Sequence, residues 1–344
     1  MKYLIPAAIL SVACFNLYND VHWPPWVLLS VLASLYIGFI TWVLYNPSIG
    51  VAIGYTLLTV SIGAFHKPIQ EGVMHEVLMM KGLALETGFI MLLLCVAFHY
   101  IPRADLKHVK NGLILVFVIQ AIWLLFDVLT GWKGLQGLLG NKSIGSSYLA
   151  IVGMLNPWLL VLATITVLVT KSSVSGVALA VGFLGTLIIK SKNYLVYGVV
   201  LAVLVITAVL LDEQRLPNMP RWNAWAMFIN EWIDGGKHFF GEGQGSFMFW
   251  GPHAQLTNEF EVKKGLWLWA HNDWLQLLIE TGIVGIMVYL NLFRSVLVHY
   301  YREQNWSHVG MTLSFGVVML GNYPLAIAMF GIITAYLIRN TRYV

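Results

Sequence analysis

Between Ala270 and Gly285 the chain sets His271, Asn272, Asp273, Gln276 and Glu280 at the mouth of an otherwise apolar stretch. Polar and ionisable groups inside a membrane segment are costly unless they face protein or water, so such a cluster points to function. An imidazole exchanges a proton near neutral pH, which is the work of a general base. Asp273, Gln276 and Glu280 are spaced to share one helical face. A carboxylate at the start of a helix also complements its dipole, which gives Asp273 a plain structural use. For Glu280 the competing use is a hydrogen bond to a neighbouring helix or loop.

Three further polar features accompany this cluster. Arg215 and Arg221 flank Asn218-Met219-Pro220. A guanidinium grips phosphate oxygens in bidentate fashion, and it serves equally well against lipid headgroups. Asn141 and Lys142 precede Ser143-Ile144-Gly145-Ser146-Ser147-Tyr148. A cation and small residues at a helix N-terminus form a ready anion site, although Gly140-Asn141 is also an ordinary turn. Lys171 leads Ser172-Ser173-Val174-Ser175-Gly176, which has a capping explanation of its own. Taken together, basic groups and one His at a single membrane face suit a lipid diphosphate. The cations would neutralise the leaving diphosphate, and His271 would deprotonate an acceptor hydroxyl.

The elements that must hold these residues follow from composition. Hydrophobic residues make up 58% of the 344 and charged ones 10%, which marks a polytopic all-α membrane protein. The apolar stretches are 3–18, 26–45, 49–65, 83–100, 111–129, 144–156, 157–170, 174–189, 194–211, 271–292, 309–322 and 325–338. Asn156-Pro157 breaks 144–170, and Asn322-Tyr323-Pro324 breaks 309–338. Each is one kinked helix or a pair of short ones, because Pro cannot continue a regular helix. Counting both as hairpins, with a cytoplasmic N-terminus, places ten Lys and Arg inside and five in the short outer loops. That is the bias that positive-inside topology requires, and it predicts about twelve spans with both termini inside.

The connection 212–269 then lies outside. Its 58 residues hold 12 of the 36 charged residues, more than a bare link needs. Within it Trp222, Trp225, Phe228, Ile229 and Trp232 recur at helical spacing, as on an interfacial helix. Gly241-Glu242-Gly243-Gln244-Gly245 reads as a flexible turn with no strand before it, unlike a nucleotide loop. Met1–Phe15 has some traits of a signal peptide and reads better as an uncleaved first span. Cys14 and Cys95, both in apolar runs, imply neither a disulfide framework nor a zinc site. No basic stripe or knuckle pattern suggests nucleic acid.

At these residues the chain resembles the O-antigen ligase and O-antigen polymerase family of bacterial membrane glycosyltransferases. The likeness rests first on His271-Asn272, Leu275-Gln276, Glu280, Gly282 and Gly285. Gly140-Asn141, Ser173–Gly176, Arg221 with Trp225, Gly243-Gln244-Gly245 and Asn322-Tyr323-Pro324-Leu325 follow the family's order, and the likeness spans about residues 140–338. Where the family has a Ser-Arg-Gly turn, this chain has Ser173-Val174-Ser175-Gly176, without the Arg. The resemblance implies a glycan donor on undecaprenyl diphosphate and transfer at the periplasmic face of the inner membrane. It implies inversion at the sugar with no required metal and no cofactor. His271 would be the catalytic residue. Arg221, Arg215, Lys142, Asn141, Lys171, Asn272, Asp273, Gln276 and Glu280 form the expected substrate-contacting set. The acceptor would be lipid A-core, a second lipid-linked glycan or a protein hydroxyl. A transporter built on Glu86, Asp127 and Glu280, and a binder without turnover, are the alternatives from other classes.

Overall fold

The computed structural model describes residues 106–131, 139, 141–191, 221–243, 245–260, 266–322 and 328–339. The spans expected before residue 106, the span 194–211, Arg215, Gly140, Gln244 and Tyr323-Pro324-Leu325 lie outside the described residues. So do Lys2, Lys67, Lys81, Arg103, Lys133, Lys192 and Arg342 of the topology argument. Every regular element among the described residues is a helix, with no strand among them. In order they form α1 (Leu106–Thr130), α2 (Lys142–Val152), α3 (Pro157–Thr170), α4 (Ser173–Ser191), α5 (Arg221–Asp234), α6 (Phe247–Thr257), α7 (Asp273–Arg302), α8 (Trp306–Gly321) and α9 (Ala328–Arg339). Three of these, α1, α4 and α7, are long and apolar enough to cross a membrane.

The segment broken at Asn156-Pro157 folds back on itself. A short 3-10 turn, Gly153–Leu155, ends the outgoing arm. Asn156 then caps α3 through Trp158 N, and Pro157 takes the first helical position, where no amide is needed. Ser146 at the start of α2 bonds Thr170 at the end of α3, Oγ to Oγ1 at 2.9 Å. The two arms are therefore an antiparallel hairpin. At 1.5 Å per residue each arm runs about 20 Å, short of the roughly 30 Å hydrocarbon core. The segment broken at Asn322 behaves the same way. His308 near the start of α8 meets Tyr336 near the end of α9, Nε2 to Oη at 3.0 Å.

Small residues let α4 and α8 approach closely. A Cβ on Gly182 would lie 2.9 Å from Gly310 O, and Ser314 Oγ donates to Ala178 O at 2.8 Å. Such contacts replace the hydrophobic drive that is lost between helices in lipid. The main core runs through α1, α2, α8 and α9 around Phe117, Tyr148, Met311 and Phe330.

A second core belongs to the long connection. Phe228, Phe247, Trp250, Ala254, Leu275 and Ile279 pack α5 and α6 onto the first turns of α7. Phe228 meets Phe247 edge-on at 5.1 Å. The aromatic stripe of α5 thus divides. Phe228 turns into this core, while Trp222, Ile229 and Ile233 stay exposed along the opposite face.

The helix α7 is broken at Gly282, whose φ of 68° and ψ of −172° are not helical. The break frees backbone groups, and the loop before α6 takes them up. Glu242 N and Gly243 N donate to Ile279 O and Glu280 O at 3.0 and 2.8 Å. Ile283 N and Val284 N donate to His238 O and Phe239 O at 2.8 and 3.2 Å. The glycine-rich turn is therefore a docked strap and not the flexible turn expected from its composition. Gly241, Glu242 and Gly243 are buried, and Lys237 pairs with Glu242.

Candidate functional site

Four of the polar features marked in the sequence converge at one end of the bundle. Arg221, the first residue of α5, donates from Nη1 to Gly321 O at 3.3 Å, at the end of α8. The next residue, Asn322, is buried and reaches α2. Its Nδ2 donates to Ser147 Oγ at 2.9 Å and to Ser143 Oγ at 3.4 Å. Ser147 in turn bonds Ser175 at 3.1 Å, and Ser175 bonds Ser172 at 2.7 Å. One chain of hydroxyls and an amide thus ties α2, α4 and α8 beneath Arg221.

His271 lies two residues ahead of α7, outside the membrane-crossing helix. Its φ of 52° is left-handed, a region where a non-glycine residue costs about 1 kcal/mol. Its ring meets Trp267 edge-on at 5.6 Å. The preceding residue, Ala270, accepts the indole N–H of Trp225 at 2.7 Å, which holds α5 against this turn. Burial, and secondarily the positive charge of Arg221, lower the His271 pKa from 6.5 to about 4. The imidazole is neutral at physiological pH and available as a proton acceptor.

The remaining expected residues divide by role. Asn141 caps α2, accepting Ser143 N and Ile144 N at 2.8 and 3.3 Å, and Asn272 caps α7 through Leu275 N at 3.1 Å. Their side-chain oxygens are committed to backbone. Lys142 and Lys171 are exposed at the same end, and Lys171 ends α3 in a left-handed conformation with φ of 55°. Asp273 is buried in the first turn of α7. Gln276 and Glu280 are buried and bonded to each other at 3.1 Å. Val174, in place of the Arg of the resembling family, packs against Gly321; a Cβ there would lie 2.5 Å from Val174 Cγ2. Arg221 and Val174 therefore meet at the same turn.

Asn322 was legible in the sequence as a helix breaker and as the start of the Asn322-Tyr323-Pro324-Leu325 element. A buried amide beside an apolar helix was the signal that marked it as more. Replacing Asn322 with Leu leaves hydroxyls of α2 without their amide partner and is expected to cost about 1–3 kcal/mol. A thermal melt of the purified variant in lipid nanodiscs checks this; an unchanged midpoint would show that the network adds nothing to stability.

No family model matches the chain, and no curated protein matches it as a relative. Among the described residues no group of three His, Cys, Asp or Glu side chains is arranged to hold a metal ion.

The coupling of Arg221 to His271 has a measurable consequence. Arg221→Gln removes the smaller of the two causes, so the His271 midpoint is expected to rise above about 4 and stay below 6.5. In the wild type the folded ring resists protonation while the unfolded ring takes a proton. Stability from this group is thus full above pH 6.5 and falls as pH drops toward 4. An NMR titration of ring-labelled histidine reads both midpoints. A His271 midpoint unmoved by Arg221→Gln would mean that the guanidinium charge does not act on the ring.

Proposed function

We propose that this chain is a membrane glycosyltransferase of the O-antigen ligase kind. It moves a glycan from undecaprenyl diphosphate to an acceptor hydroxyl, lipid A-core first among the acceptors, at the periplasmic face of the inner membrane. The observation that carries the reading is the pairing of Arg221 with a neutral His271 at one end of the bundle. These two charge types are what the reaction needs. The acceptor hydroxyl gives its proton to His271 as its oxygen bonds to the anomeric carbon. The bond from that carbon to the diphosphate breaks, and the electron pair leaves on the undecaprenyl diphosphate. Arg221 meets the charge that develops there.

The low basicity of His271 fits the same scheme. Burial is the main cause that holds the ring down, and a diphosphate against Arg221 offsets the guanidinium charge that adds to it. Donor binding therefore raises the basicity of the group that must accept the proton. Lys142 and Lys171, exposed at the same end, are the further cations near the donor. Glu280, one of three groups on which a transport pathway would depend, is committed to protein hydrogen bonds, which favours transfer over transport.

The test uses purified protein with a polyprenyl-diphosphate glycan, assayed in parallel against lipid A-core and for chain elongation. Product on lipid A-core supports the ligase reading. Longer lipid-linked chains move the same chemistry to a polymerase. Neither product, beside an active ligase in the same assay, removes glycan transfer to these acceptors.

A further inference from the structure

Gln276 and Glu280 belong to the expected site, yet both are spent inside the protein. Gln276 Oε1 accepts Ala270 N–H at 3.3 Å, while its Nε2 donates to Glu280 Oε1 at 3.1 Å. Glu280 Oε1 also accepts Phe247 N–H at 3.2 Å, at the first residue of α6. On the other side of the same residue, Ala270 O accepts Trp225 Nε1. Ala270 is fully buried, Glu280 is 1% exposed, and Gln276 is 9% exposed. Ala270 is joined directly to His271, whose backbone stands in the left-handed region.

The order of these bonds carries the argument. An amide side chain can face either way, with its oxygen or its NH2 toward Ala270 N–H. Only the oxygen can accept that donor. Glu280 Oε1 accepts from both the Phe247 N–H and the Gln276 NH2, which settles the choice and leaves the Gln276 oxygen for Ala270. Left-handed conformations of non-glycine residues persist where the surroundings over-determine them, and they gather at active sites. Here the N–H and the C=O of Ala270 are both held, from two different helices.

We propose that Gln276 and Glu280 are positioning residues that aim the His271 imidazole by fixing Ala270. The mechanism rests on the reading of His271 as the reacting base. Glu280 orients Gln276, Gln276 holds Ala270 N–H, and Trp225 holds Ala270 C=O. The ring then leaves the chain in one direction. Because Glu280 also receives Phe247 N–H, the position of α6 in the outer loop is wired to the same turn. The side chains that resemble a substrate-contacting row thus act through the backbone of the residue before the base.

The experiment records ring signals of isotopically labelled histidine in nanodiscs, with His271 assigned by its loss in His271→Gln. Gln276→Leu and Glu280→Gln are both expected to move the His271 signal, while those of His299 and His308 at the far end of the bundle stay in place. In the transfer assay both variants are expected to lose about 10-fold to 100-fold in kcat, with donor KM little changed. A His271 signal unmoved in these variants overturns the proposal, as does a loss that falls on KM alone. Glu280→Gln is close to Glu in size, but its own NH2 can turn toward Gln276 and no longer forces the Gln276 oxygen toward Ala270, so it decides the matter where Gln276→Leu fails to fold. If the signal moves but wild-type protein transfers no glycan, positioning stands and the transferase reading fails.

Discussion

Replacing His271 with Ala is expected to remove about 10²- to 10⁴-fold of transfer activity while the protein still inserts and folds. The ring sits at the edge of the loop core, against Trp267 and outside the membrane-crossing helix. Its loss therefore leaves the bundle intact and takes away the proton acceptor. His271→Asn separates the two roles of this position. Asn tolerates the left-handed backbone that His271 adopts, so the turn is kept and only the base is lost. Both variants are expected to be equally poor in the parallel ligase and elongation assay, with wild-type amounts in the membrane. Near wild-type product from His271→Asn would remove His271 from the chemistry and leave it as a backbone feature.

Gly282→Ala is expected to be the most damaging single substitution for stability. A Cβ there would lie 2.3 Å from Phe239 O, and Gly282 φ is +68°. The strap cannot dock on the broken helix with that atom present. Four backbone hydrogen bonds join the strap to the break. At about 0.5–1.5 kcal/mol each, their loss amounts to roughly 2–6 kcal/mol. Gly131→Ala is the matched control. It has φ of +66° but open space around the added atom, so only the conformational cost of about 1 kcal/mol applies. Thermal midpoints of the two variants, with limited proteolysis of the strap, make the comparison. Equal small shifts would mean that the strap is not held by the break. A freed strap would also loosen α6 and α5, so transfer is expected to fall along with stability.

Much of the architecture was legible from patterning. Apolar runs announced α1, α4 and α7, although α7 extends to Arg302, ten residues beyond the predicted end at 292. The amphipathic end of that helix, with His299 and Arg302, hid its last turns. Asn156-Pro157 marked a break because Pro removes a donor and Asn supplies a cap, both local facts. The fold-back that follows the break is not local. Charge bias along the chain favoured it, and the Ser146 to Thr170 pair shows it.

The site shows the same division. Residue type determined that His271 can accept a proton, that Arg221 carries a permanent charge and that Asn141 and Asn272 suit helix starts. These properties belong to side chains or to the first turn of a helix, where neighbours in sequence are neighbours in space. Only the tertiary structure decided that Gln276 and Glu280 serve Ala270 and Phe247, and that Asn322 joins the serines of α2. It also decided that a glycine-rich turn repairs the break at Gly282. A buried polar group must find a partner, and the requirement can be read from the sequence. Which partner answers depends on how helices far apart in the chain pack, and no spacing along one segment encodes that.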